Sequence, residues 1–549
     1  MSRFNIRGSR PAARGPVTTT GARTRTHEGG AAFVRDAKSA LFLLAVVNLA
    51  GQDTFYESAG DRDDRFRSLV RQLAVADPEW TAGLLAWLRG SAHMRTAAVV
   101  GAAEFVRARL TAEQRADLAP DARAAHDGGW NRRVIASVLQ RPDEPGELLG
   151  HWTRTYGRRL PKPVKRGVAD AVRRLYSARS LLKYDTASKG YRFGDILNLV
   201  HAAPHPDKPW QGELFQYALD RRHHPETAQP PAGMLAAHHD LTALPVEERH
   251  AVVTGPDGAA RLAAAGMTWE ALAGWLQGPM DAAAWEAVVP SMGLMALTRN
   301  LRNFDEAAVS DAVAARIAAR LADPEEVRRS RQFPYRFLSA YRAAPSLRWG
   351  HALEQALTAA TANIPALPGR TLVLVDTSAS MRGPVSARSE IRHIDVGALF
   401  AVALAARGCA VDLVGYADGT FRHPLARGGS VLRQTEAFCD RVGEVGHGTE
   451  TVAALRASYD GHDRVVVVSD MQAFAHPGSG RGRWGRTTSV SEAVPADVPL
   501  FGVNTTGHAP ASIDTGRPHR YEIGGFSDQL FTMVDLLSRG RDAGWPWEG

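Results

Sequence analysis

Cysteine is almost absent from this sequence, with only Cys409 and Cys439 among 549 residues. Two cysteines exclude a disulfide scaffold and a cysteine-based zinc module. Long apolar runs are also lacking. The longest strongly apolar run covers residues 41–47, whereas a membrane-spanning helix needs about 20 apolar residues. The basic N-terminus has no apolar stretch of signal-peptide type directly behind it. We therefore expect a cytoplasmic protein.

The sequence also lacks the motifs of several enzyme classes. It has no G-x-x-x-x-G-K-[ST] loop for nucleotide phosphates and no G-x-S-x-G nucleophile elbow. The histidine pairs at 223–224 and 238–239 lack the i, i+4 spacing of a zinc-binding helix. We expect these histidines to be surface residues.

Positive charge is present in excess and is concentrated in one segment. The chain has 66 Lys and Arg against 58 Asp and Glu, a net charge of +8. Residues 151–192 carry a net charge of +10, because only Asp170 and Asp185 oppose twelve cations there. A solvated helix face is the ordinary explanation of such a run. Here the interspersed acids of such a face are missing, which favours a polyanionic partner.

The residue composition and the spacing of apolar residues along the chain predict three regions. Residues 1–28 are rich in Arg, Gly, Pro and Thr and predict a flexible basic tail. From residue 31 to about 360, apolar residues recur at helical spacing without strand alternation. Many helices joined by short loops suggest stacked helix pairs, as in HEAT-type solenoids.

The pattern changes near residue 366. A short continuous apolar run rich in β-branched residues predicts a buried parallel strand at residues 371–375. Further strands are predicted at residues 410–416, 464–469 and 499–504. Helical patterns alternate with them and close the chain at residues 526–538. This alternation predicts a doubly wound α/β sheet.

A metal site is predicted at the ends of these strands. The segment Asp376-Thr377-Ser378-Ala379-Ser380 directly follows the first strand, Gly446 to Thr449 follows the second strand and its helix, and Asp470 ends the third strand. Ligands bind beyond the carboxyl ends of strands in open α/β sheets. Carboxylate and hydroxyl oxygens suit Mg²⁺. The alternative is ordinary turn and cap chemistry, since Asp and Ser favour such turns anyway.

The order of these segments resembles the metal-ion-dependent adhesion site of von Willebrand factor A domains. The resemblance implies that the metal ligands are Asp376, Ser378, Ser380, Thr449 and Asp470. It also implies Mg²⁺, or another divalent cation, as the bound ion.

The helical part resembles the TROVE module of Ro ribonucleoproteins. The motifs that carry this resemblance are Glu28-Gly29-Gly30, Lys183-Tyr184, Gly190-Tyr191-Arg192, residues 195–204 and residues 290–301. In that family a ring of HEAT-like helices precedes a von Willebrand factor A domain. The resemblance covers residues 30 to 545 and implies a ring over 29–365 and an A domain over 366–549.

The family resemblance implies an RNA-binding ribonucleoprotein scaffold and not an enzyme. Ro proteins bind small noncoding Y RNAs on the basic outer surface of the ring, and single-stranded ends of misfolded RNA in its hole. Bacterial relatives use the Y RNA to tether an exoribonuclease in RNA maturation, quality control or decay.

Candidate RNA-binding residues follow from the charge and from the resemblance. Lys183 and His201 match family positions implicated in RNA contact, whereas residues 185–188 depart from the basic stretch usual there. Tyr176, Tyr184, Tyr191 and Phe193 interleave with the cations, and we expect Phe193 in the helix core. The predicted RNA contacts are Arg158, Arg159, Lys162, Lys165, Arg166, Arg173, Lys183, Lys189, His201 and Arg299.

Alternatives remain open from the sequence. His201 follows an apolar run and is also compatible with a satisfied core histidine. Arg299 and Arg302 either face the ring interior or form structural pairs.

For the function of the whole chain, one alternative is a protein–protein adaptor that recruits partners through the metal site of the A domain. Another is a metal-dependent nuclease or phosphatase that uses Asp376 and Asp470, although Ser378 and Ser380 are poor substitutes for further carboxylates.

Overall fold

The computed structural model describes residues 19–25, 31–47, 59–92, 94–116, 128–385, 390–469, 490–505, 513, 517, 519–524, 529–538 and 545–548. The chain forms two compact units. One comprises Asp63–Arg320, and the other comprises Met1–Arg62 with Leu321–Gly549.

Helices dominate the chain up to residue 363. They are α1 Ala37–Val47, α2 Ala59–Ala76, α3 Pro78–Gly90, α4 Arg95–Arg115, α5 Trp130–Val138, α6 Glu144–Tyr156, α7 Lys162–Leu175, α8 Ala178–Tyr184, α9 Phe193–Val200, α10 Trp210–His223, α11 Met234–Thr242, α12 Val246–Thr254, α13 Gly258–Ala264, α14 Trp269–Leu276, α15 Ala282–Val288, α16 Leu294–Glu306, α17 Asp311–Ala322, α18 Pro324–Ser330, α19 Pro334–Ala343 and α20 Leu347–Ala360. Short 3₁₀ helices cover Val289–Ser291 and Thr361–Asn363.

The helical spacing predicted beyond residue 31 is confirmed by helices such as α2, α3, α4 and α7. Local sequence explains their starts. The carboxylate of Asp77 accepts a hydrogen bond from Trp80 N at the start of α3, and Pro78 occupies its first turn. Within Asp63–Arg320, α3 packs on α4, α5 on α7, and α9 on α10. Such pairs fit the predicted stacking of helices.

Helix α7 shows how the basic segment is anchored. Its apolar face buries Val164, Val168 and Val172, while its cations lie on the other face. A Cβ atom at Gly167 would lie 2.6 Å from Cβ of Ile135 on α5. The missing side chain therefore lets the two helices approach closely.

The N-terminal region differs from the sequence prediction. Strand β1, Thr19–Arg25, pairs antiparallel with strand β2, Ala31–Arg35. The predicted helical character was wrong for residues 31–35, and regular structure begins within the predicted tail. Strand pairing supplies backbone partners that a periodicity search of so short a segment does not detect. The rest of the predicted tail, residues 1–18 and 26–28, lies outside the described residues.

The second unit contains a six-stranded sheet with the order β5-β4-β3-β6-β7-β8. Its strands are β3 Arg370–Asp376, β4 Ala410–Tyr416, β5 Thr420–His423, β6 Arg464–Ser469, β7 Leu500–Asn504 and β8 Arg520–Gly524. All neighbouring strands run parallel except the edge strand β5, which is antiparallel to β4. The strands that the sequence predicted are confirmed. Both outermost strands, β5 and β8, were missed.

Helices cover both faces of this sheet. They are α21 His393–Ala406, α22 Val431–Cys439, α23 Thr451–Ser458 and α24 Gln529–Ser538, with 3₁₀ turns at Ala379–Arg382 and Val490–Glu492. Helix α23 packs on the face that holds Leu372 and Leu374. Gly397 of α21 approaches Val375 on the opposite face. The predicted fold class, helices followed by a doubly wound α/β sheet, is thereby confirmed.

The second unit begins before residue 366. Tyr335 on α19 donates a hydrogen bond to Val396 O of α21 at 3.1 Å. The carboxylate of Glu354 on α20 accepts bonds from Val431 N and Leu432 N at the start of α22. The helices over residues 334–360 therefore pack with α21 and α22, which flank the sheet. The residue pattern of the sequence, in contrast, changes from helical to strand-like only just before β3. The domain limits 29–365 and 366–549 stay a prediction from sequence.

Candidate functional site

The first candidate site lies at the carboxyl end of β3. Asp376 is the last residue of that strand and its side chain is fully buried. Its Oδ1 accepts a hydrogen bond of 2.8 Å from Ser378 N, and its Oδ2 accepts one of 2.9 Å from Ser469 Oγ. Two bonds therefore fix the orientation of the carboxylate, and burial makes it a strong candidate for pairing with a cation.

The two serines of the motif lie side by side. Ser378 Oγ and Ser380 Oγ are 3.1 Å apart. Ser378 is buried, whereas Ser380 is exposed at the start of the 3₁₀ turn. The turn thus presents two hydroxyl oxygens beside a buried carboxylate, which is the hard oxygen chemistry predicted from the sequence.

Thr449 belongs to a loop that is bound to the end of the neighbouring strand. Tyr416, the last residue of β4, lies opposite Asp376 in the parallel register. Directly after it, Ala417 O accepts a hydrogen bond from Glu450 N at 2.9 Å. This bond holds the loop with Thr449 at the same edge of the sheet as the motif at 376–380.

Asp418 organises this loop and was missed in the sequence analysis. Its Oδ2 accepts a hydrogen bond of 3.0 Å from His447 N. A Cβ atom at Gly446 would lie 1.9 Å from that oxygen, and one at Gly448 would lie 2.0 Å from Oδ1. The glycines on either side of His447 were the sequence signal that could have revealed this loop. Because they have no side chain, the backbone can approach the carboxylate of Asp418 closely.

The fifth predicted ligand, Asp470, lies outside the described residues. The segment 478–485, which follows it and whose glycines and arginines predict a flexible basic loop, lies outside them as well. Ser469, the neighbour of Asp470, ends β6 and contacts Asp376. Among the described residues, no group of three His, Cys, Asp or Glu side chains is placed to hold a metal ion. The predicted site differs from such a group because hydroxyls supply most of its oxygens.

The second candidate site is the basic segment, residues 151–192, in the other unit. Its twelve cations fall into two sets. Four have an intramolecular partner: Arg173, Arg174, Lys189 and Arg192. The side chains of the other eight form no hydrogen bond or ion pair with any residue that the structure describes: Arg154, Arg158, Arg159, Lys162, Lys165, Arg166, Arg179 and Lys183. We call these eight residues the free-cation set.

Three of the free-cation set lie within the first five residues of α7. Lys162, Lys165 and Arg166 stand at a helix N-terminus that has no side-chain cap and no acidic residue. Cations at this end of a helix are unfavourable for the isolated fold, because the macrodipole is positive there. The same arrangement of backbone N–H groups and cations favours a bound anion.

Two of the predicted RNA contacts have intramolecular roles. Arg173 Nε donates to Ala203 O at 2.8 Å, and Lys189 Nζ lies 3.5 Å from Asp143 Oδ2. Burial acts to raise the pKa of Asp143, but Arg141 and Arg95 hold it below its ordinary value. Asp143 is therefore a charged partner for Lys189. The assignment of both cations to RNA stays a prediction.

The aromatic residues of the segment divide between core and surface. Tyr176 and Phe193 are buried and stacked with ring centroids 3.7 Å apart, so Phe193 lies in the core as expected. Tyr184 and Tyr191 instead line an open cavity of about 630 Å³ together with Lys189 and Arg154. Lys183 lies 5.3 Å from the ring centroid of Tyr184.

His201 and Arg299 are both exposed. His201 ends α9 with a φ of 53°, so the alternative of a satisfied core histidine is wrong. Arg299 forms no ion pair with a described residue, whereas Arg302 pairs with Glu306 at 3.4 Å. The two arginines of α16 therefore differ, and the structural alternative applies to Arg302.

Comparisons with known proteins agree with the resemblance predicted from the motifs. Residues 264–356 match the TROVE domain family. The motif at 290–301 lies within this match. The crystal structure of the Deinococcus radiodurans RO (RSR) protein is similar with a TM-score of 0.64 and 18% sequence identity, over 92% of this chain and 99% of that chain. No curated protein matches the sequence. No helix among the described residues has the length and hydropathy of a membrane span.

Proposed function

We propose that this chain, which has a TROVE domain and the fold of a Ro protein, is an RNA-binding scaffold. The observation that carries this proposal is the free-cation set. The side chains of eight cations within one segment form no hydrogen bond or ion pair with a described residue, and all but Lys165 are exposed. A surface of this kind favours binding of an external polyanion, and RNA supplies phosphates at regular spacing.

The N-terminal end of α7 is the centre of the proposed phosphate contacts. Lys162, Lys165 and Arg166 supply charge, and the uncapped N–H groups of the helix supply directed donors. Such contacts hold an RNA without reading its sequence. The free-cation set therefore positions the RNA and contributes binding affinity, whereas other residues recognise its bases.

The Ro resemblance supports a finer proposal about the ligands. A small noncoding Y-type RNA binds the basic outer surface, and single-stranded ends of misfolded RNA bind in the hole of the ring. The protein then assists RNA quality control, maturation or decay, with an exoribonuclease tethered through the RNA. In this proposal the protein is a scaffold and catalyses no reaction itself.

A divalent cation, proposed as Mg²⁺, fits the oxygen donors at the end of β3. The buried carboxylate of Asp376 and the adjacent hydroxyls of Ser378 and Ser380 are hard ligands, and Thr449 and Asp470 complete the proposed set. When bound, the ion supplies a Lewis-acidic position for an acidic residue of a partner. The exposure of Ser380 favours this alternative role as a protein–protein adaptor.

Two experiments test the RNA proposal. The first is purification from the native cell at moderate salt, followed by extraction and sequencing of bound RNA. A small, abundant, structured RNA supports the scaffold. The second is electrophoretic mobility with a single-stranded RNA at low salt. An RNA-free preparation that also fails to bind single-stranded 3′ ends would overturn the proposal and leave the adaptor role.

A further inference from the structure

An exposed tryptophan lies beside the basic segment. Trp210, the first residue of α10, is 47% exposed and is the only exposed tryptophan among the described residues. Large aromatic side chains are ordinarily buried, because their transfer from water stabilises the fold. The exposure of Trp210 is therefore a feature that packing does not explain.

The loop before Trp210 is held on the C-terminal end of α7. Gln211 is fully buried, and its side chain donates to Arg173 O at 3.0 Å and accepts from His205 N at 2.8 Å. Lys208 Nζ donates to the same Arg173 O at 2.7 Å. These bonds attach residues 203–211 to α7 and make the support of the indole rigid.

A fixed cation lies near the indole ring. Lys208 Nζ is 5.9 Å from the ring centroid of Trp210 while it is bound to Arg173 O. The position of the ammonium over the ring indicates a cation–π contact. Beside this contact, about half of the Trp210 side chain remains exposed to solvent.

A row of cations on α7 ends at this loop. Lys162, Arg166 and Arg173 recur at i, i+4 and i+11, which places them on one face of the helix. Arg173 ends this row and donates to Ala203 O of the loop. The 14 residues of α7 span about 20 Å. A stacked strand with a phosphate every ~3.4 Å covers this distance in about six nucleotides.

We infer that Trp210 is a stacking platform for an unpaired base of RNA whose phosphates are bound by the cations of α7. The inference rests on the proposed function and adds the residue that contacts a base. Stacking on an aromatic ring suits a single-stranded RNA, because every base offers a flat face. Arg173 is then a positioning residue that holds the loop, in place of the phosphate contact predicted from sequence.

The test compares the binding of a fluorescein-labelled oligouridylate of about 12 nucleotides by full-length variants. Trp210→Ala is expected to weaken affinity at least about fivefold, with the slope of log K against log salt unchanged, because no phosphate contact is lost. Trp210→Phe retains an aromatic face and is expected to stay close to the parent. Leu347→Ala, which removes a fully exposed side chain in the other unit, is the matched control.

A second measurement separates stacking from a change in fold. Replacing single nucleotides of the probe by abasic ones identifies a position that weakens binding by the parent. The same abasic replacement is expected to cause no further loss of RNA affinity in the Trp210→Ala variant. Additive losses would overturn the stacking role. Unchanged RNA binding by Trp210→Ala, with a loss in Lys162→Ala/Lys165→Ala, would overturn the inference alone. Absence of RNA binding by every variant and the parent would overturn the proposed function.

Discussion

Ser469 Oγ donates a hydrogen bond of 2.9 Å to Oδ2 of Asp376 and so joins the last residues of β6 and β3. The bond orients the carboxylate from one side, and Ser378 N orients it from the other. The candidate metal site is therefore built across two neighbouring parallel strands. Its geometry depends on the sheet and not on the flanking turn alone.

Asp376→Ala tests the metal proposal. Loss of the only carboxylate in the motif at 376–380 is expected to abolish Mg²⁺ binding in isothermal titration with Mg²⁺ alone. RNA affinity is expected to stay nearly unchanged, because the free-cation set lies in the other unit. Asp440→Ala, which removes an exposed carboxylate of the same unit, is the matched control. Loss of RNA binding in a folded Asp376→Ala protein would contradict this separation of roles.

Lys162→Ala with Lys165→Ala tests the phosphate contacts at the start of α7. The double variant is expected to weaken RNA binding for all sequences. It should also reduce the slope of log K against log salt by about 1.4 for a single strand, since each lost contact contributes ~0.7. Fluorescence anisotropy over a series of salt concentrations measures both.

The matched control for this pair is Arg427→Ala with Arg433→Ala. Both arginines are exposed on the sheet unit, and their side chains bind no described residue. The control makes the same change in net charge outside the basic segment. An equal loss of affinity in the two double variants would indicate a nonspecific charge effect and contradict a localised RNA surface.

The strands and the metal motif were predictable because their signals are local. Segments rich in apolar residues predict β3, β4 and β6, and the serines of the motif follow the first of these segments directly. The edge strands β5 and β8 carry polar residues such as Arg422 and Glu522, so no such segment marks them. Strand β1 was missed for a related reason, since its pairing with β2 depends on the backbone.

The partners of individual cations could not be predicted, because they are distant in sequence. Arg173 binds Ala203 O, 30 residues away, and Lys189 lies near Asp143, 46 residues away. A charge count gives these two cations the same weight as Lys162. In the folded protein, however, their side chains are already bound to other parts of the chain. The composition therefore located the basic surface, and only the fold separated its free members from those with structural partners.

Gly446→Ala tests the loop that carries Thr449. Gly446 has a φ of 95°, and a Cβ atom there would overlap Asp418 Oδ2 at 1.9 Å. We expect a loss of about 1–3 kcal/mol in the free energy of unfolding from backbone strain, with a further loss from the displaced carboxylate. Weaker Mg²⁺ binding should accompany it, because the loop shifts at the proposed site.

Gly408→Ala is a close control for that variant. Gly408 has a φ of 98°, and nothing lies within 4 Å of the Cβ position. It therefore reports the backbone strain without the overlap. Chemical denaturation of both variants measures the difference. Equal destabilisation, with Mg²⁺ binding intact in both, would show that Asp418 does not organise the loop.

Asp395→Asn tests the buried charge cluster that joins α19 to α21. Asp395 is fully buried and accepts bonds from Arg392 and from Arg342 Nη2 at 3.2 Å. Burial acts to raise the pKa of Asp395, but Arg392 and Arg342 hold it below the ordinary value. A carboxyl with a lowered pKa stabilises the fold above its unfolded pKa of about 3.9. That stabilisation is lost as the pH falls through the folded pKa.

We therefore expect Asp395→Asn to lower the free energy of unfolding by about 3 kcal/mol at neutral pH, because two guanidinium groups lose their charged partner. Below the folded pKa of Asp395 the parent and the variant should converge, since the carboxyl of the parent is then protonated. Urea denaturation between neutral pH and strongly acidic pH measures this. A constant difference between the two proteins across that range would show that hydrogen-bond geometry, and not the charge of Asp395, holds α19 against α21.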